Sequence, residues 1–294
     1  MTGLILTSMK KLLFALFVSL LVMPSGELQA RKKKNRNASL VVATFNVRVD
    51  TPADGNNAWQ FRKDLVNALV RFHDFDIFGV QEAFAHQMDD ICRMEEYEAI
   101  GLGRDGGTNG EHSAIVYKKD KFILLDKGDF WYSETPDVPG KGWDATCCNR
   151  ICSWGKFKDV ASGKVFYFFN SHFDHQGKVA RRESSRLLLE RIREIAKGYP
   201  VFSVGDYNAE PDSEPMLMLV QSGELFNSYE TVQTPPYGTV GTFHNYKLEG
   251  PFEKRIDHIL HSPGISVVKY ATLNETPGGR FPSDHYPVMV VAEF

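Results

Sequence analysis

The sequence predicts an α+β fold in which two packed, mostly antiparallel sheets are flanked by helices. Strand-like apolar runs outnumber helical segments, and no repeat or long linker divides residues 38–294. A hydrophobic content of 43% with 24% charged residues is typical of a globular protein and excludes a disordered, collagen-like or multi-pass membrane protein. Because each sheet must bury an apolar face, we expect the two sheets to pack together with the helices outside them.

Seven short apolar runs bounded by polar or turn residues are predicted strands. They are residues 40–45, 76–80, 113–117, 166–171, 201–205, 256–261 and 288–294. Residues 59–72 and 178–197 have helical spacing, and the second segment places Leu187, Leu188 and Ile192 on one face, opposite its arginines and glutamates.

Two segments rich in turn residues, 101–110 and 234–250, are predicted surface loops. The first contains a glycine-rich stretch at 106–110. That stretch lacks the Gly-Lys-Ser/Thr ending of a phosphate-binding P-loop, so we interpret it as a flexible loop.

The N-terminus resembles an export signal. Lys10 and Lys11 precede an apolar run at 12–23, which is too short to span a bilayer comfortably, and Ala30 is a suitable last residue before cleavage. We therefore predict a signal peptide at 1–30 and an exported protein, periplasmic or secreted, with no stable membrane insertion after cleavage. An uncleaved membrane anchor is the alternative.

The charge is unevenly distributed along the chain. The formal net charge is −3, and subtracting the +1 of residues 1–30 and the +5 of residues 31–37 leaves −9 for residues 38–294. We interpret 31–37 as a solvated basic tail and 38–294 as a single domain, which we expect to be monomeric. An acidic domain is poorly suited to binding a long polyanion such as a nucleic acid, although bound divalent cations would restore local positive charge.

The four cysteines are Cys92, Cys147, Cys148 and Cys152. In an exported chain a disulfide among them is plausible, whereas no histidine lies at the spacing of a zinc finger. Neighbouring cysteines rarely bond each other, so a Cys148–Cys152 bond or a link to Cys92 is favoured over a Cys147–Cys148 bond. Free buried thiols are the alternative.

Polar side chains follow or precede most of the predicted strands. They are Asn46, Glu82, His172, Asp206 with Asn208, Asp257 with His258, and Asp284 with His285. Each one alone is more often a turn residue. If neighbouring strands end at one sheet edge, the set forms an oxygen-rich site with imidazoles beside it, and oxygen ligands select Mg²⁺, Mn²⁺ or Ca²⁺ over zinc.

Six short motifs occur in the order and approximate spacing of a known family. They are Ala-Thr-Phe-Asn at 43–46, Gln-Glu at 81–82, Asn-Ser-His-Phe-Asp-His at 170–175, Gly-Asp-Tyr-Asn at 205–208, Arg-Ile-Asp-His at 255–258 and Ser-Asp-His-Tyr-Pro at 283–287. The chain resembles the endonuclease/exonuclease/phosphatase superfamily, and within it the exported bacterial members allied to the deadenylase branch. The resemblance implies a four-layer α/β/β/α sandwich with the site at one edge of the two sheets.

The resemblance also implies a metal-dependent phosphoester hydrolase. Glu82 would ligate the metal, with Asn46 and Asp284 close to it. Hydrolysis of a phosphate ester must stabilise charge on the phosphoryl and leaving oxygens, which a divalent cation does as a Lewis acid. Mg²⁺ is the expected cofactor, with Mn²⁺ or Ca²⁺ as alternatives.

The remaining motif residues have catalytic roles by the same resemblance. Asp206 and Asn208 would hold the attacking water or a phosphate oxygen, His172 would donate a hydrogen bond to the phosphate, and Asp257 would pair with His285. A histidine that titrates near neutrality is suited to accept the proton of the water. We therefore assign His285 as the base and Asp206 as the residue that positions the water, with the reverse assignment open.

Other residues are candidates for substrate contacts or support. Arg181 opens the second helix and could reach a phosphate oxygen, although a surface salt bridge is the more common role of such a residue. His112 precedes a strand and is predicted at the mouth of the cleft, and Asn208 is also a candidate for substrate binding. Trp59 and Arg62 resemble a recurrent element of the family near the first helix, which implies a packing and loop-clamping role.

Three classes of function compete. A lost Glu82 or His285 would favour a non-catalytic binding protein, but every polar group of the motifs is present. A nuclease is disfavoured by the acidic domain and by the lack of a basic stripe with interleaved aromatics. We therefore predict hydrolysis of a small or glycan-linked phosphomonoester or phosphodiester, with an exported endo- or exonuclease as the alternative.

Overall fold

The computed structural model describes residues 39–294. The strands are β1 Ser39–Asn46, β2 Ile77–Ala83, β3 Tyr97–Ile100, β4 His112–Lys118, β5 Phe122–Trp131, β6 Ile151–Asp159, β7 Val165–His172, β8 Val201–Asp206, β9 Phe226–Asn227, β10 Asp257–His261, β11 Ser266–Thr272 and β12 Val288–Glu293. The α-helices are α1 Lys63–Phe72, α2 Ala85–Ile91, α3 Lys178–Ala196, α4 Glu214–Gln221 and α5 Ser228–Thr231. Short 3-10 helices occupy Pro52–Asn57, Trp59–Phe61 and Pro277–Gly279. The predicted signal peptide at 1–30 and basic tail at 31–37 lie outside the described residues.

The strands form two six-stranded sheets. The first has the order β11-β12-β1-β2-β4-β3, and the second has the order β5-β6-β7-β8-β10-β9. Each sheet contains one parallel pair, β1 with β2 and β7 with β8, while the other pairs are antiparallel. The prediction of two mostly antiparallel sheets is confirmed.

Three hydrophobic cores make four layers. Alternate residues of a strand point to opposite faces, so Leu40 and Val42 of β1 face the second sheet while Ala43 and Phe45 face α1 and α2. In the second sheet the same alternation turns Phe169 of β7 toward α3 and α4. The result is the α/β/β/α sandwich.

The first predicted helix is divided in two. A 3-10 turn over Trp59–Phe61 precedes α1, and Arg62 between them leaves the helical conformation. Its side chain is completely buried and donates hydrogen bonds to the carbonyl oxygens of Arg48 at 2.7 Å, Pro282 at 3.2 Å, Asn57 and Val47. Arg62 therefore ties together the chain segments that follow β1 and precede β12, in agreement with its predicted clamping role.

The favoured cysteine pairing is wrong. The structure joins Cys147 to Cys148, while Cys92 and Cys152 are free. Cys152 lies on β6 within the core beneath α3, and Cys92 lies at the end of α2 in the opposite helical layer. Neither thiol therefore faces the loop that carries Cys148, which leaves its neighbour as the partner.

None of the helices among residues 39–294 combines the length and the apolar character that a membrane crossing requires.

Candidate active site

The candidate site lies where the parallel strands of both sheets end. Asn46 and Glu82 lie at the C-terminal ends of β1 and β2, and His172 and Asp206 end β7 and β8. His172 is paired in register with Asp206, and Asp206 in turn with Asp257 at the start of the antiparallel β10. The sheet registers therefore bring side chains from both sheets to one edge, as the sequence predicts.

Glu82 reaches the site through a distortion of its strand. The register of β2 against β4 shifts between Val80 and Ala83, and Glu82 has a positive φ of 67°. Such a conformation is uncommon for a residue other than glycine and carries a conformational cost of the kind that collects at functional sites. The amide of Val49 donates to Glu82 Oε2 at 3.0 Å and helps to hold the carboxylate in place.

The two sheets approach closely directly behind the site. A side chain on Gly79 would overlap the amide group of Asn170, because an added Cβ would clash with Asn170 Oδ1. Asn170 in turn donates to the carbonyl oxygens of Val80 at 2.9 Å and Ala114 at 2.7 Å, and accepts a hydrogen bond from Gln81 at 2.6 Å. These buried polar contacts between the sheets fix the distance between the strand ends that carry Glu82 and His172.

Glu82, Asp206 and His285 form the cluster that could hold a cation. Each offers a ligand atom, and these atoms all lie within 4.8 Å of one another. Asn46 donates from Nδ2 to Glu82 Oε1 at 2.9 Å and to Asp206 Oδ2 at 3.0 Å, so its amide spaces the two carboxylates in this conformation. Asp284 lines the same cavity, with Oδ2 at 3.9 Å from Arg48 Nε.

The electrostatics of this cluster fit a divalent cation. Burial raises the pKa of Asp206 to about 7, with Asp257 adding to the shift, and burial also raises the pKa of Asp284. Burial opposes ionisation of Glu82 as well, but His285 and Asn46 hold its pKa below the ordinary value. Because three carboxylates crowd together in a buried place, a cation with hard oxygen preference would relieve their repulsion.

His285 belongs to a hydrogen-bonded chain. Its Nδ1 lies 2.8 Å from Asp257 Oδ2, and the same oxygen accepts the hydroxyl of Thr242 at 2.6 Å. Its Nε2 lies 3.9 Å from Asp206 Oδ2. Burial alone would lower the pKa of His285, but the charge and hydrogen bond of Asp257, with Asp206 adding, raise it well above the ordinary value. The pairing predicted for Asp257 and His285 is thus present.

His172 and Asn208 complete the polar wall around Asp206. His172 Nε2 lies 3.6 Å from Asp206 Oδ2, and burial together with Arg150 and Arg104 lowers the pKa of His172 well below its ordinary value. Asn208 has a positive φ of 47°, its amide N–H donates to Asp206 Oδ1 at 2.9 Å, and its side chain donates to the carbonyl of Phe173. Both side chains line the cavity above this cluster.

A cavity of about 940 Å³ opens over the cluster. Glu82, His172, Asp206, Asn208, Asp284 and His285 line it, whereas the buried Asn46 and Asp257 support it from behind. Arg181 lines it too, while its Nη1 donates to the carbonyl of Asp174 at 2.9 Å. His112 does not line this cavity: it is buried and pairs through Nδ1 with the carbonyl of Ala83 at 3.0 Å, next to Glu82.

Four residues that the sequence analysis did not single out belong to the site or its walls. Arg48, Arg104 and Arg150 line the cavity, and Thr242 supports Asp257. Arg48 follows the first motif by two positions, and that adjacency was a usable signal. Thr242 lies in a loop with no motif around it, so only the fold reveals its place.

The fold is that of a family whose members are hydrolases acting on phosphoester bonds. A model of the endonuclease/exonuclease/phosphatase family matches residues 43–285. The chain belongs to this family, whose enzymes use divalent metals.

Two solved structures from Bacteroides thetaiotaomicron are similar to the chain. An endonuclease/exonuclease/phosphatase family protein is 43% identical, with a TM-score of 0.85 and coverage of 88% of this chain and 99% of that one. A mannosyl-6-phosphatase is 44% identical, with a TM-score of 0.84 and coverage of 87% and 100%.

A curated relative belongs to the deadenylase branch. The CCR4-Not complex 3′-5′-exoribonuclease subunit Ccr4 of Aspergillus niger is 24% identical over 81% of this chain. The match covers 47% of that protein, so the chain spans about half the length of this relative.

Proposed function

We propose that this chain is a divalent-metal-dependent phosphatase that removes phosphate from a sugar, either free or linked to a glycan. The observation that carries the proposal is the cluster of Glu82, Asp206 and His285, whose ligand atoms lie within 4.8 Å of one another at the cavity of about 940 Å³. Its Glu82 and Asp206 carboxylates, with Asp284 nearby, supply the oxygen ligands that Mg²⁺ or Mn²⁺ prefers.

The residues of the site have different roles according to their positions. Glu82, Asp206 and Asp284 would hold the cation, with Asn46 spacing the first two. When bound, the cation supplies Lewis-acid stabilisation of the charge on the phosphoryl oxygens. His172 donates a hydrogen bond to a phosphoryl oxygen, and Asn208 orients the same group.

His285 is the base in this proposal, and Asp206 positions the attacking water. Asp257 accepts the Nδ1 proton of His285, which leaves Nε2 free to take a proton on the side facing Asp206. Cation charge near Asp206 and Asp284 would offset two of the carboxylates that raise the pKa of His285, and so bring its titration closer to neutrality. Asp206 is the alternative base.

Two observations favour a sugar phosphate over a nucleic acid. The mannosyl-6-phosphatase of B. thetaiotaomicron matches 87% of this chain at 44% identity and is itself matched over its whole length. Residues 38–294 also carry a net charge of −9, which opposes binding of a long polyanion. The exoribonuclease similarity is more distant, at 24% identity, and keeps a nuclease as the second candidate.

A substrate mixture tests this proposal. The purified chain, supplied with Mg²⁺, is incubated with mannose 6-phosphate, a nucleoside monophosphate, a simple phosphodiester and a short oligonucleotide, and the products are followed by ³¹P NMR. We expect inorganic phosphate from mannose 6-phosphate, and none after chelation. Cleavage of the oligonucleotide with mannose 6-phosphate left intact would replace the phosphatase with a nuclease.

We also propose that the chain acts outside the cytoplasm, on the basis of the charged and apolar pattern of residues 1–30. Fractionation of the native host, with detection of the protein whose N-terminus begins near Arg31, tests the export.

A further inference from the structure

Arg150 is an unusual residue to find at the cavity wall. Its side chain is 5% exposed, yet it lines the cavity. Its Nη2 donates to His175 Nδ1 at 2.7 Å, while its Nε has no hydrogen-bond partner and lies 3.6 Å from Asp174 Oδ2. A buried guanidinium with an unused donor is costly unless a further acceptor completes it.

Arg104 lies at the same end of the cavity. Its Nη1 donates to Glu111 Oε2 at 2.7 Å, and its Nε is also buried without a hydrogen-bond partner. Arg104 and Arg150 line one crevice together with His172, which places both guanidinium groups beside the candidate catalytic centre.

Further cationic side chains line the same cavity. Lys178 and Arg181 line it together with Arg104 and Arg150. The carboxylates in contact with them are Glu111 and Asp174, and Asp174 already accepts the backbone amides of Gln176 and Gly177. Three more acidic residues of the cavity lining, Glu210, Asp212 and Glu214, are exposed to solvent, which screens them.

We propose that Arg150, with Arg104 beside it, binds the additional charged oxygen that a phosphate monoester has and a diester lacks, so that these two arginines make the site selective for monoesters. This inference rests on the proposed phosphatase function and names the specificity of the same site. His172, which donates to a phosphoryl oxygen in the proposed function, lines the same crevice as Arg104 and Arg150, so the outer oxygens of that phosphoryl group lie on the side of the two guanidinium groups.

The chemistry favours arginine for this task. A monoester loses its second proton near pH ~6 and is a dianion at neutral pH, whereas a diester keeps one charge. The planar guanidinium offers paired donors that match two phosphoryl oxygens, and it stays charged when buried. A diester places an alkyl group where the third outer oxygen would lie, and so leaves Arg150 without its acceptor.

The test compares Arg150→Met and Arg150→Lys with the wild-type chain in the presence of Mg²⁺. The substrates are mannose 6-phosphate and methyl p-nitrophenyl phosphate, and calorimetric titration with inorganic phosphate measures binding apart from turnover. We expect kcat/KM for the monoester to fall at least about 100-fold in Arg150→Met and less in Arg150→Lys, while diester hydrolysis changes less than about 5-fold. Phosphate binding weakens in the same order.

The matched control is Arg193→Met, which keeps both activities. Arg193 is an exposed residue of α3, and the substitution removes only its ion pair with Glu224. An equal fall on both substrates with unchanged phosphate affinity overturns the inference, even when the wild-type chain is a phosphatase. If wild type hydrolyses only the diester, the proposed function itself fails. Where Arg150→Met does not fold, Arg150→Lys and Arg104→Gln decide the matter by the same ratio of monoester to diester activity.

Discussion

The Nδ1 atom of His285 lies 2.8 Å from Oδ2 of Asp257, and that oxygen also accepts the hydroxyl of Thr242 at 2.6 Å. Thr242 in turn accepts the backbone amide of Ile256, which fixes its hydroxyl in the donating direction. The Nδ1–H tautomer of His285 is therefore held in place, and Nε2 is the atom directed toward Asp206.

Asp257→Asn tests the role of this pair. The asparagine amide has no charge to balance a cationic His285, and it favours the wrong tautomer of the His285 ring. We therefore expect kcat to fall at least about 100-fold with little change in KM. Asp159→Asn is the control, because Asp159 is equally buried but caps a turn through the amide of Ser162. If Asp257→Asn keeps normal turnover while Asp206→Asn abolishes turnover and still binds Mg²⁺, Asp206 is the base.

Glu82→Gln tests the cation site in a binding measurement. In the wild-type chain, Mg²⁺ or Mn²⁺ should raise the unfolding temperature. When free cation exceeds Kd by ~100-fold, binding adds about 2.7 kcal/mol to the free energy of unfolding. The neutral amide removes a charged ligand, so we expect this rise to disappear in Glu82→Gln and to persist in the surface variant Glu190→Gln. Stabilisation by zinc alone would contradict an oxygen-ligand site.

We expect His244 to cause part of the loss of folding stability at acidic pH. It is buried, stacks on Tyr286 with ring centroids 4.1 Å apart, and burial lowers its pKa to about 3, with His285 adding to the shift. An unfolded histidine titrates near ~6.5, so only the unfolded state takes up this proton as the pH falls below that value. Its contribution to stability is complete above ~6.5 and is lost progressively toward pH 3.

His244→Phe removes this titration while keeping an aromatic ring in the cluster. Between about pH 6 and 4.5, the unfolding free energy of the variant should fall less steeply than that of wild type, by up to about 1.4 kcal/mol per pH unit. Urea titrations at several pH values measure both slopes. Parallel curves would show that His244 is protonated in the folded state.

The Cys147–Cys148 bond predicts the mass of one tryptic peptide. Trypsin releases residues 142–150 as one peptide that contains both Cys147 and Cys148. Without reductant this peptide should be lighter than its reduced form by one pair of hydrogen atoms, and Cys92 and Cys152 should alkylate after unfolding. Alkylation of Cys147 and Cys148 without prior reduction would contradict the bond.

Much of the fold follows from local patterns in the sequence. All seven predicted strands are present, because runs such as Leu40 to Phe45 are apolar on both faces of a sheet that is covered on both sides. The polar residues that end these strands meet at one edge, since β1 with β2 and β7 with β8 are parallel pairs. Local patterns therefore reveal both sheets and the cluster around Glu82.

Other features depend on contacts that no local pattern records. Strand β5 contains an exposed charged stretch from Asp126 to Lys127 and is an edge strand, so its sequence does not resemble a buried strand. The break at Arg62 arises because its guanidinium binds carbonyl groups up to 220 residues away. Arg150 lies in no motif of the sequence analysis, and its importance depends on burial beside His172.

In the proposed function, the cluster around Glu82 binds the cation that takes part in phosphoester hydrolysis. Crystals of the chain grown with Mn²⁺, measured for anomalous scattering at the manganese edge, test it most directly. We predict a peak within coordination distance of a carboxylate oxygen of Glu82, with a second ligand from Asp206 or Asp284. An enzyme that Mn²⁺ activates, but whose crystals show no manganese at this cluster, would contradict the claim.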